Sequence, residues 1–378
     1  MDKLKYGDLF KDYEGFTDPK AIIQIDGKDI AANPIVVNNI DVEITAGFEA
    51  SIATFDIFNV FDRFQARFEY ESMSKAIVIG AALKIYLGYA TKVKEVFTGV
   101  ITKVTFAYES GEAPHITVTG MDIKGLMMAG SYSKQLKARS YSAAVKEILE
   151  KTAYSKMQSA GIIEKLYISD TPDTPPPGVP NDSNPDIEMV AESDYEFVVK
   201  AAKKFNFEFF CVGGNVYFRP AKCDSSVEIN LNPNKGLYNC EVEYDITGLA
   251  ETIEARGMDD GSGKVISAKE KLNNKISLGS KAAGFIKGSE KIYIDPTIKS
   301  DTDATNRVNS LKESVSYRFG TFKGTTIGIP DYIPGAFIKL ENMGAPVTNK
   351  FYIYSIHHRL NKTDGYLTDI VGQAANIP

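Results

Sequence analysis

Residues 193–220 read SDYEFVVKAAKKFNFEFFCVGGNVYFRP, and this stretch decides how the rest of the chain is interpreted. Ser193 and Glu196 have the spacing of a capping box, in which the two side chains close the first turn of a helix. The apolar residues that follow repeat every four positions and share one helical face: Phe197, Ala201 and Phe205. Two runs of strand-forming residues come next, with a tight turn at Gly213-Gly214 between them. The stretch predicts a compact unit of one helix and one β-hairpin.

Upstream of this unit, short runs of β-branched and aromatic residues alternate with turn signals. The predicted strand regions are 21–31, 35–46, 51–58, 76–90, 96–107 and 115–119. Within the first region, Asp26-Gly27 supplies the positive φ angles that a type I′ hairpin turn needs. Gly80 and Gly88 divide region 76–90 into two strand-like pieces. Several short strands within about 100 residues predict an antiparallel barrel or sandwich.

Between this β-rich region and the helix-hairpin unit, the spacing of the apolar residues changes from that of strands to that of a helix. A helix is predicted from Ser140, capped by Ser140 or Ser142, with one apolar stripe: Val145, Ile148, Leu149 and Ala153. Residues 170–186 contain six prolines, which predicts a semi-rigid extended insert or linker. A proline-rich ligand for a recognition module is the alternative for that segment.

Downstream of the unit the chain is again mostly β. Residues 259–263 form a predicted hairpin tip, and the Lys-, Ser- and Gly-rich residues 264–300 are expected to form an exposed insertion or docking segment. A third helix is predicted at about 302–317, capped by Asp301 or Thr302. The closing strands are predicted at 325–329, 335–341, 351–360 and 366–371. The order is therefore β, α+β, β, which predicts a β-rich α+β protein.

Composition limits the class of function. The chain has 378 residues, 43% apolar and 24% charged, with a net charge of −6. The negative charge argues against a protein that binds nucleic acid by neutralising phosphates, and it leaves open an acidic channel through which DNA or protein slides. No apolar run of 18 residues exists, so no membrane insertion is predicted. The N-terminus shows no secretory signal, so synthesis in a cytoplasm is expected.

The residues that commonly carry chemistry do not form a recognisable motif. The cysteines are Cys211, Cys223 and Cys240, whose spacing predicts buried structural thiols rather than disulfides or a zinc site. His357 and His358 are adjacent in a strand, so their side chains should point to opposite faces. Residues 261–264, GSGK, lack the other features of a phosphate-binding loop. No catalytic, cofactor or metal residue is predicted, although a glycosidase or peptidase site built from distant residues stays an alternative.

Four segments along residues 79–371 carry a family resemblance. The first contains a strand ending in glycine, an F-x-G motif and an aspartate before a helix: Gly88, Phe97, Gly99 and Asp122. The second is the helix-hairpin stretch, with Asp194, Tyr195 and Phe197. The third covers 254–259 and 263–266, and the fourth has a P-G, Y, H, G-Y order: Pro334, Gly335, Tyr352, His358 and Tyr366. Together they resemble the phage late control protein D family, which includes the hub part of type VI secretion VgrG spikes and the baseplate hub of contractile phages.

The resemblance implies an architecture and a set of partners. It implies two tube-like antiparallel β-barrels, at 1–135 and 241–378, with an inserted α+β module at 136–240. Such hubs form homotrimers whose pseudo-six-fold ring joins a hexameric tail tube to a trimeric central spike, with baseplate wedge and tape-measure proteins as further partners. The matched residues are then structural, and no cofactor or sequence-specific nucleic acid is implied.

The resemblance also gives an expected location and leaves alternatives. The protein would be assembled in the bacterial cytoplasm into the baseplate of a virion or tail-like particle. A phage tail, a tail-like bacteriocin, an extracellular injection system and a secretion system all remain open. Because the sequence stops at Pro378, the spike and any wall-degrading activity are expected on separate polypeptides. A glycan-binding or adhesion module of the same particle, and a hub that also degrades cell wall, are the alternative functions.

Overall fold

The computed structural model describes residues 3–30, 36–69, 77–173, 187–259, 261–272 and 281–378. The first β block contains helix α1 (Tyr6–Asp12), a 3-10 turn (Glu14–Phe16), β1 (Pro19–Ile25), β2 (Lys28–Asp29), β3 (Val36–Thr45), β4 (Ile52–Phe58), β5 (Phe61–Asp62), β6 (Arg67–Phe68), β7 (Ala82–Tyr89), β8 (Lys92–Ala107) and β9 (His115–Met121). The middle unit contains α2 (Ile123–Met127), β10 (Tyr132–Gln135), α3 (Tyr141–Leu149), α4 (Thr152–Ser159), β11 (Lys165–Ile168), β12 (Glu188–Glu192), α5 (Asp194–Phe205), β13 (Phe207–Val212) and β14 (Asn215–Pro220).

The rest of the chain forms two further parts. The second β block contains β15 (Val227–Leu231), β16 (Leu237–Tyr244), β20 (Gly320–Ile327), β21 (Phe337–Leu340), β22 (Lys350–Asn361) and β23 (Gly365–Ala374). Between β16 and β20 lies a helix-backed sheet of β17 (Thr252–Met258), β18 (Val265–Lys271), α6 (Ala282–Ile286), β19 (Glu290–Ile294) and α7 (Asp301–Ser316). The predicted β-rich α+β fold class is confirmed.

One large sheet runs through both β blocks. Its strand order in the described residues is β16-β20-β23-β22-β3-β4-β9-β8-β7-β1-β2, with β21 pairing to β22 and β15 to β21. The join between the blocks is the antiparallel pair β3–β22, in register from Ile40 opposite Leu360 to Thr45 opposite Ser355. Alternating side chains of these strands face one apolar core that draws residues from both blocks, including Val42, Phe55, Ile356 and Ile370. The two blocks are therefore continuous in hydrogen bonding and in packing.

The middle unit follows the local signals in its sequence. Ser193 accepts the N–H of Glu196, and the Glu196 side chain accepts the N–H of Ser193, so the capping box on α5 is confirmed. Gly213 and Gly214 have φ of 52° and 71° in the turn of the β13–β14 hairpin, as predicted. Strand β11 adds in parallel to β14, and α3 and α5 pack together in a core of their own. Ser140 caps α3, which settles the choice between Ser140 and Ser142.

Two local predictions were wrong in detail. Region 76–90 contains one described strand, β7, which begins after Gly80, and Gly88 lies inside this strand instead of ending it. The third helix is capped by Ser300, whose side chain accepts the N–H of Asp303, and not by Asp301 or Thr302. The described residues of 264–300 are mostly exposed or half-buried, as expected, and they also contain strands β18 and β19, which flank β17. Of the proline-rich segment, residues 174–186 lie outside the described residues, as does position 260 of the predicted hairpin tip.

Candidate functional site

The twelve residues singled out in the sequence do not converge on one site. They lie in the first β block, in the middle unit and around β21–β23. Gly88 and Gly99 have a steric role, because a Cβ on either would lie 2.1 Å from a backbone oxygen of a neighbouring strand. Phe97 is buried beside them in the shared core. These three residues therefore serve the packing of neighbouring strands.

Asp122 belongs to a buried polar contact that we call the lysine junction, formed by Asp122, Lys124 and the carbonyls around them. The Asp122 carboxylate caps α2 by accepting the N–H of Lys124 at 2.9 Å, and it also accepts the N–H of Ser51. The Lys124 side chain is fully buried. Its Nζ donates to Glu49 O and lies 3.4 Å from Phe209 O and 3.8 Å from Asp122 Oδ2. Burial raises the pKa of Asp122, while the nearby lysine opposes that shift.

The lysine junction ties the first β block to the middle unit. Glu49 follows β3, whereas Phe209 lies in β13, and one ammonium group donates to both regions. Tyr195 adds a second tie, since its hydroxyl donates to Phe48 O at 2.9 Å. Lys124 was not predicted, because nothing in the local sequence distinguishes a buried lysine from an exposed one.

Asp194 and Phe197 act inside the middle unit. The Asp194 carboxylate accepts the Tyr154 hydroxyl at 2.9 Å and pairs with Lys151, which fixes α4 against the start of α5. Phe197 is buried and stacks on Tyr141 of α3, with ring centroids 5.9 Å apart. Both residues therefore have structural roles in the helix packing.

A second buried contact, which we call the glutamate junction, ties the middle unit to the second β block. Glu208 of β13 is 3% exposed and accepts hydrogen bonds from Arg219 Nε at 2.5 Å and from the Tyr352 hydroxyl of β22. Arg219 Nη2 also donates to Gly335 O at 3.3 Å. Gly335 has φ of 86° and follows the buried Pro334, so the P-G pair places its carbonyl against the guanidinium. Burial raises the pKa of Glu208 despite the neighbouring arginine.

Helix α7 meets the same region through Lys222. The Lys222 ammonium lies over the rings of Tyr317 and Tyr352, 4.6 Å and 5.0 Å from their centroids. Burial lowers the pKa of this lysine, and the carboxylate of Glu313 opposes the shift. The helix-backed sheet is thereby attached to the glutamate junction by cation–π contacts.

His357 and His358 point to opposite faces of β22, as predicted. His357 is half-buried, with Nε2 3.0 Å from Asp41 Oδ1. His358 is fully buried, with Nδ1 3.1 Å from Thr368 Oγ1 and 3.0 Å from the Tyr366 hydroxyl. Burial lowers the pKa of His358 to about 3, so its imidazole is neutral at physiological pH. Tyr366 is likewise buried, and its contact with the His358 imidazole is a hydrogen bond between neutral groups.

The outward face of eight neighbouring strands of the large sheet carries many polar side chains, and we call it the acidic face. Its polar side chains, from β16 to β8, include Asn239, Glu241, Glu243, Lys323, Thr325, Asp369, His357, Arg359, Asp41, Glu43, Thr54, Asp56, Thr117, Thr119, Lys103 and Thr105. Half-buried apolar side chains lie among them: Ile52, Met121, Leu367 and Val371. Six of the polar residues are carboxylates and three are lysine or arginine. Hydrogen bonds such as Arg359 to Asp369 and Thr117 to Asp56 run across the strands. The face is a continuous wall with a net negative charge.

The remaining expectations concern reactive and metal-binding groups. Cys211 is buried as predicted, but Cys223 is exposed and Cys240 is half-buried, so the expectation of three buried thiols was wrong. Cys223 lies three residues after the end of β14, outside any helix or strand. Within the described ranges, no cluster of three or more His, Cys, Asp or Glu side chains could hold a metal ion. No described helix combines the length and the apolar character needed to span a bilayer.

Comparison with known proteins gives one family match. Residues 19–362 match the family model described as the Alg8 N-terminal domain. A search of curated protein sequences found no match.

Solved structures of phage tail proteins share the fold. A tail protein from Neisseria meningitidis MC58 aligns with a TM-score of 0.67 at 13% identity, over 94% of this chain and 97% of that one. The 43 kDa tail protein of prophage MuSo2 from Shewanella oneidensis gives 0.67 at 14% identity, over 94% and 98%. A component of the Escherichia coli type VI secretion system, described as similar to the T4 tail proteins gp27 and gp5, gives 0.57 at 11% identity over 93% and 76%. At these identities the likeness is one of fold.

Proposed function

Since the chain belongs to the Alg8 N-terminal domain family and shares the fold of phage tail proteins, we propose that it is the structural baseplate hub of a contractile injection machine. In this proposal three copies form a ring that joins the hexameric tail tube to the trimeric central spike. The protein works by assembly and carries no catalytic residue, cofactor or metal. It would reside in the baseplate of a virion or tail-like particle after assembly in the bacterial cytoplasm.

The acidic face is the observation that carries this proposal. A sheet with one apolar face on a core and one polar face open to water can form the wall of a tube. In a ring of three chains, the eight-strand wall of each chain would line one third of a channel. Six carboxylates against three basic groups make that wall repel polyanions, so DNA or acidic protein would slide without being held.

The two β blocks would account for the change of symmetry. Each chain presents the first and second β blocks as two β-rich units, with the middle unit between them. Three chains then offer six comparable edges to a hexameric tube and three identical surfaces to a trimeric spike. The lysine and glutamate junctions support this arrangement, because they fix the module rigidly against both blocks. The twelve residues matched to the hub family would then serve folding and assembly.

Native mass spectrometry of the purified chain tests the ring. The proposal expects a trimer of about three times 41.5 kDa, formed alone or on addition of the tube or spike protein from the same gene cluster. A chain that stays monomeric with both partners present would contradict it. A capsid gene in the same cluster would identify the machine as a phage.

A glycan-binding role has one observation in its favour. The rings of Phe210, Tyr217 and Tyr167 stack in a row, with centroid separations of 4.8 Å and 4.9 Å, and Tyr167 is 40% exposed. Exposed aromatic rings are the usual platform for sugar rings. Binding on a glycan array that is lost in Tyr167→Ala, together with a monomeric chain, would favour this function over the hub.

A further inference from the structure

The hairpin of β5 and β6 carries a group of exposed aromatic rings. Phe64 at its tip is fully exposed, and Phe106 and Tyr108 at the end of β8 are 45% and 65% exposed. These two β8 rings pack on half-buried rings of the hairpin, with centroids 5.3 Å apart between Phe106 and Phe68 and 5.2 Å apart between Tyr108 and Phe61. We call the hairpin together with these two β8 rings the aromatic hairpin.

The rings of the aromatic hairpin are set at wide angles. The planes of Phe61 and Phe68 meet at 74°, and those of Phe68 and Phe106 meet at 71°. Each pair therefore forms the two walls of a shallow V instead of a closed stack. Surfaces lined by aromatic rings bind proline-rich segments, because such segments are already extended in solution and lose little conformational entropy on binding.

Two arginines without a partner flank the rings. Arg63 and Arg67 are exposed, and neither guanidinium forms an ion pair with a described residue. Asp62, the acid inside the hairpin, accepts the N–H groups of Phe64 and Gln65 at 2.8 Å and 3.1 Å. Guanidinium groups pair with carboxylates, so the ligand that fits this surface is acidic as well as rich in proline.

The chain itself contains a sequence of that composition. Residues 174–186 read TPPPGVPNDSNPD, with five prolines, two aspartates and no basic residue. The residues on either side are fixed in the middle unit. Asp173 accepts the N–H of Tyr141 at 3.1 Å, and the carbonyl of Ile187 accepts the N–H of Leu136 at 2.8 Å. The proline-rich segment therefore leaves and returns near the start of α3.

The reach of the segment favours a second copy as its partner. A segment of thirteen residues that returns to its start extends by about half its length, roughly 20 Å at about 3.1 Å per residue. The lysine junction follows Met121, which pairs with Val100 of β8, and Phe106 lies roughly 20 Å farther along that strand at about 3.3 Å per residue. The segment starts behind this junction, since α3 packs on α5 and α5 packs on α2. The aromatic hairpin of the same chain is therefore out of reach.

We propose that the aromatic hairpin of one copy binds the proline-rich, acidic segment 174–186 of a neighbouring copy. Proline rings pack on the aromatic rings, and the two arginines pair with Asp182 and Asp186. The two surfaces lie on different parts of the chain, so the contact is heterologous and closes into a ring when the rotation between copies allows it. The inference rests on the proposed function for the association of copies, whereas recognition of the segment by the hairpin does not depend on it.

Fluorescence anisotropy with a labelled peptide of residues 173–187 tests the recognition. The protein is the full chain with a Gly-Ser linker of equal length in place of 174–186, so that its own segment does not compete. We expect saturable binding that weakens at least tenfold in Tyr108→Ser and in Phe64→Ser. Tyr238→Ser, at a tyrosine of β16 that is 61% exposed, is the matched control and should bind the peptide fully. Absence of saturable binding, or equal binding by all variants, would overturn the proposal.

Charge changes on both sides test the pairing. Asparagine at both aspartates of the peptide should weaken binding at least threefold at low salt, and so should glutamine at both Arg63 and Arg67. The two changes together should weaken binding no further than either one alone, because both remove the same ion pairs. Losses that multiply would show that the aspartates and the arginines act independently, and would contradict the pairing.

Photo-crosslinking tests whether the contact joins two copies. An unlabelled chain with benzoylphenylalanine at position 64 is co-assembled with a ¹⁵N-labelled chain and irradiated. Mass spectrometry should find position 64 of the unlabelled chain joined to labelled peptides from 174–186. Crosslinks to unlabelled peptides alone would overturn the assignment to a neighbouring copy.

The two measurements separate this inference from the hub role. A trimer that shows no peptide binding would overturn the inference and leave the hub role standing. A monomer that binds the peptide would overturn the ring and, with it, the assignment to a neighbouring copy.

Discussion

The two β blocks and the middle unit are held together by different means. The seam between the blocks, defined by the β3–β22 pair and the core under it, consists of backbone hydrogen bonds and apolar packing. The middle unit meets both blocks through a small apolar cluster of Ala46, Phe210, Phe337 and Tyr352, and in addition through buried charges at the lysine junction and at the glutamate junction. Apolar burial is non-directional, whereas a buried ion pair fixes a geometry and is costly to leave half-made. The blocks therefore form one body, and the buried polar contacts orient the middle unit on it.

The largest expected effect concerns Glu228, a buried acid of β15 in the second β block. Its carboxylate accepts the N–H of Ile333 at 3.0 Å, and burial raises its pKa to about 8. The folded state therefore holds this proton more tightly than the unfolded chain. The free energy of unfolding should fall as pH rises from about 4.5 to about 8, by up to about 5 kcal/mol at about 1.4 kcal/mol per pKa unit.

Urea denaturation at several pH values checks this slope. Glu228→Gln should keep the hydrogen bond from Ile333 and flatten the dependence between pH 5 and pH 8, leaving the variant more stable than wild type at pH 8. Glu112→Gln, at an exposed turn position, is the matched control and should leave the slope unchanged. An unaltered slope in Glu228→Gln would mean that other groups cause it.

Removing the charge of Lys124 should lower the free energy of unfolding by nearly as much. Lys124→Met leaves Asp122 buried without its cation, which typically costs about 3–5 kcal/mol. Hydrogen exchange should rise in β13 and α5 while the β3–β22 pair stays protected. Lys146→Met, at an exposed lysine, serves as the control. Adding Asp122→Asn to Lys124→Met should recover part of the loss, and no recovery would argue against an uncompensated carboxylate as the cause.

Shortening Ile356 in the seam should act on both β blocks together. Ile356→Ala removes a fully buried side chain from the shared core and should cost about 2–5 kcal/mol. Strands of both blocks should lose exchange protection by the same amount, because they share one core and one sheet. Loss confined to the second block would contradict the continuity of the seam.

The smallest expected effect is at the glutamate junction. Tyr352→Phe removes one hydrogen bond to Glu208, and bonds to charged groups are worth about 1.5–3 kcal/mol. A double-mutant cycle with Glu208→Gln should give a coupling energy that is stabilising for the Tyr352–Glu208 pair. Tyr167→Phe, which changes a half-exposed tyrosine, is the control. A coupling energy near zero would show that the contact does not hold the module.

The sequence predicted the parts of the fold that follow local rules. The capping box of Ser193 and Glu196 and the positive φ turn at Gly213-Gly214 depend on neighbouring residues alone. The β3–β22 pair could not be predicted in this way, since it joins residues such as Asp41 and His357 that are 316 positions apart. Strands β18 and β19 were missed because lysines and serines interrupt their alternation. The twelve matched residues marked the three parts of the fold, but the buried Lys124 carries no local signal.

Particle imaging of the assembled ring can show whether the acidic face lines a channel. We expect a trimer in which the acidic face of every chain lines the channel, with Asp41 and Asp369 exposed to the lumen and the middle unit outside. A ring whose channel is lined by other surfaces, with the acidic face buried against a neighbouring chain or turned outward, would contradict it.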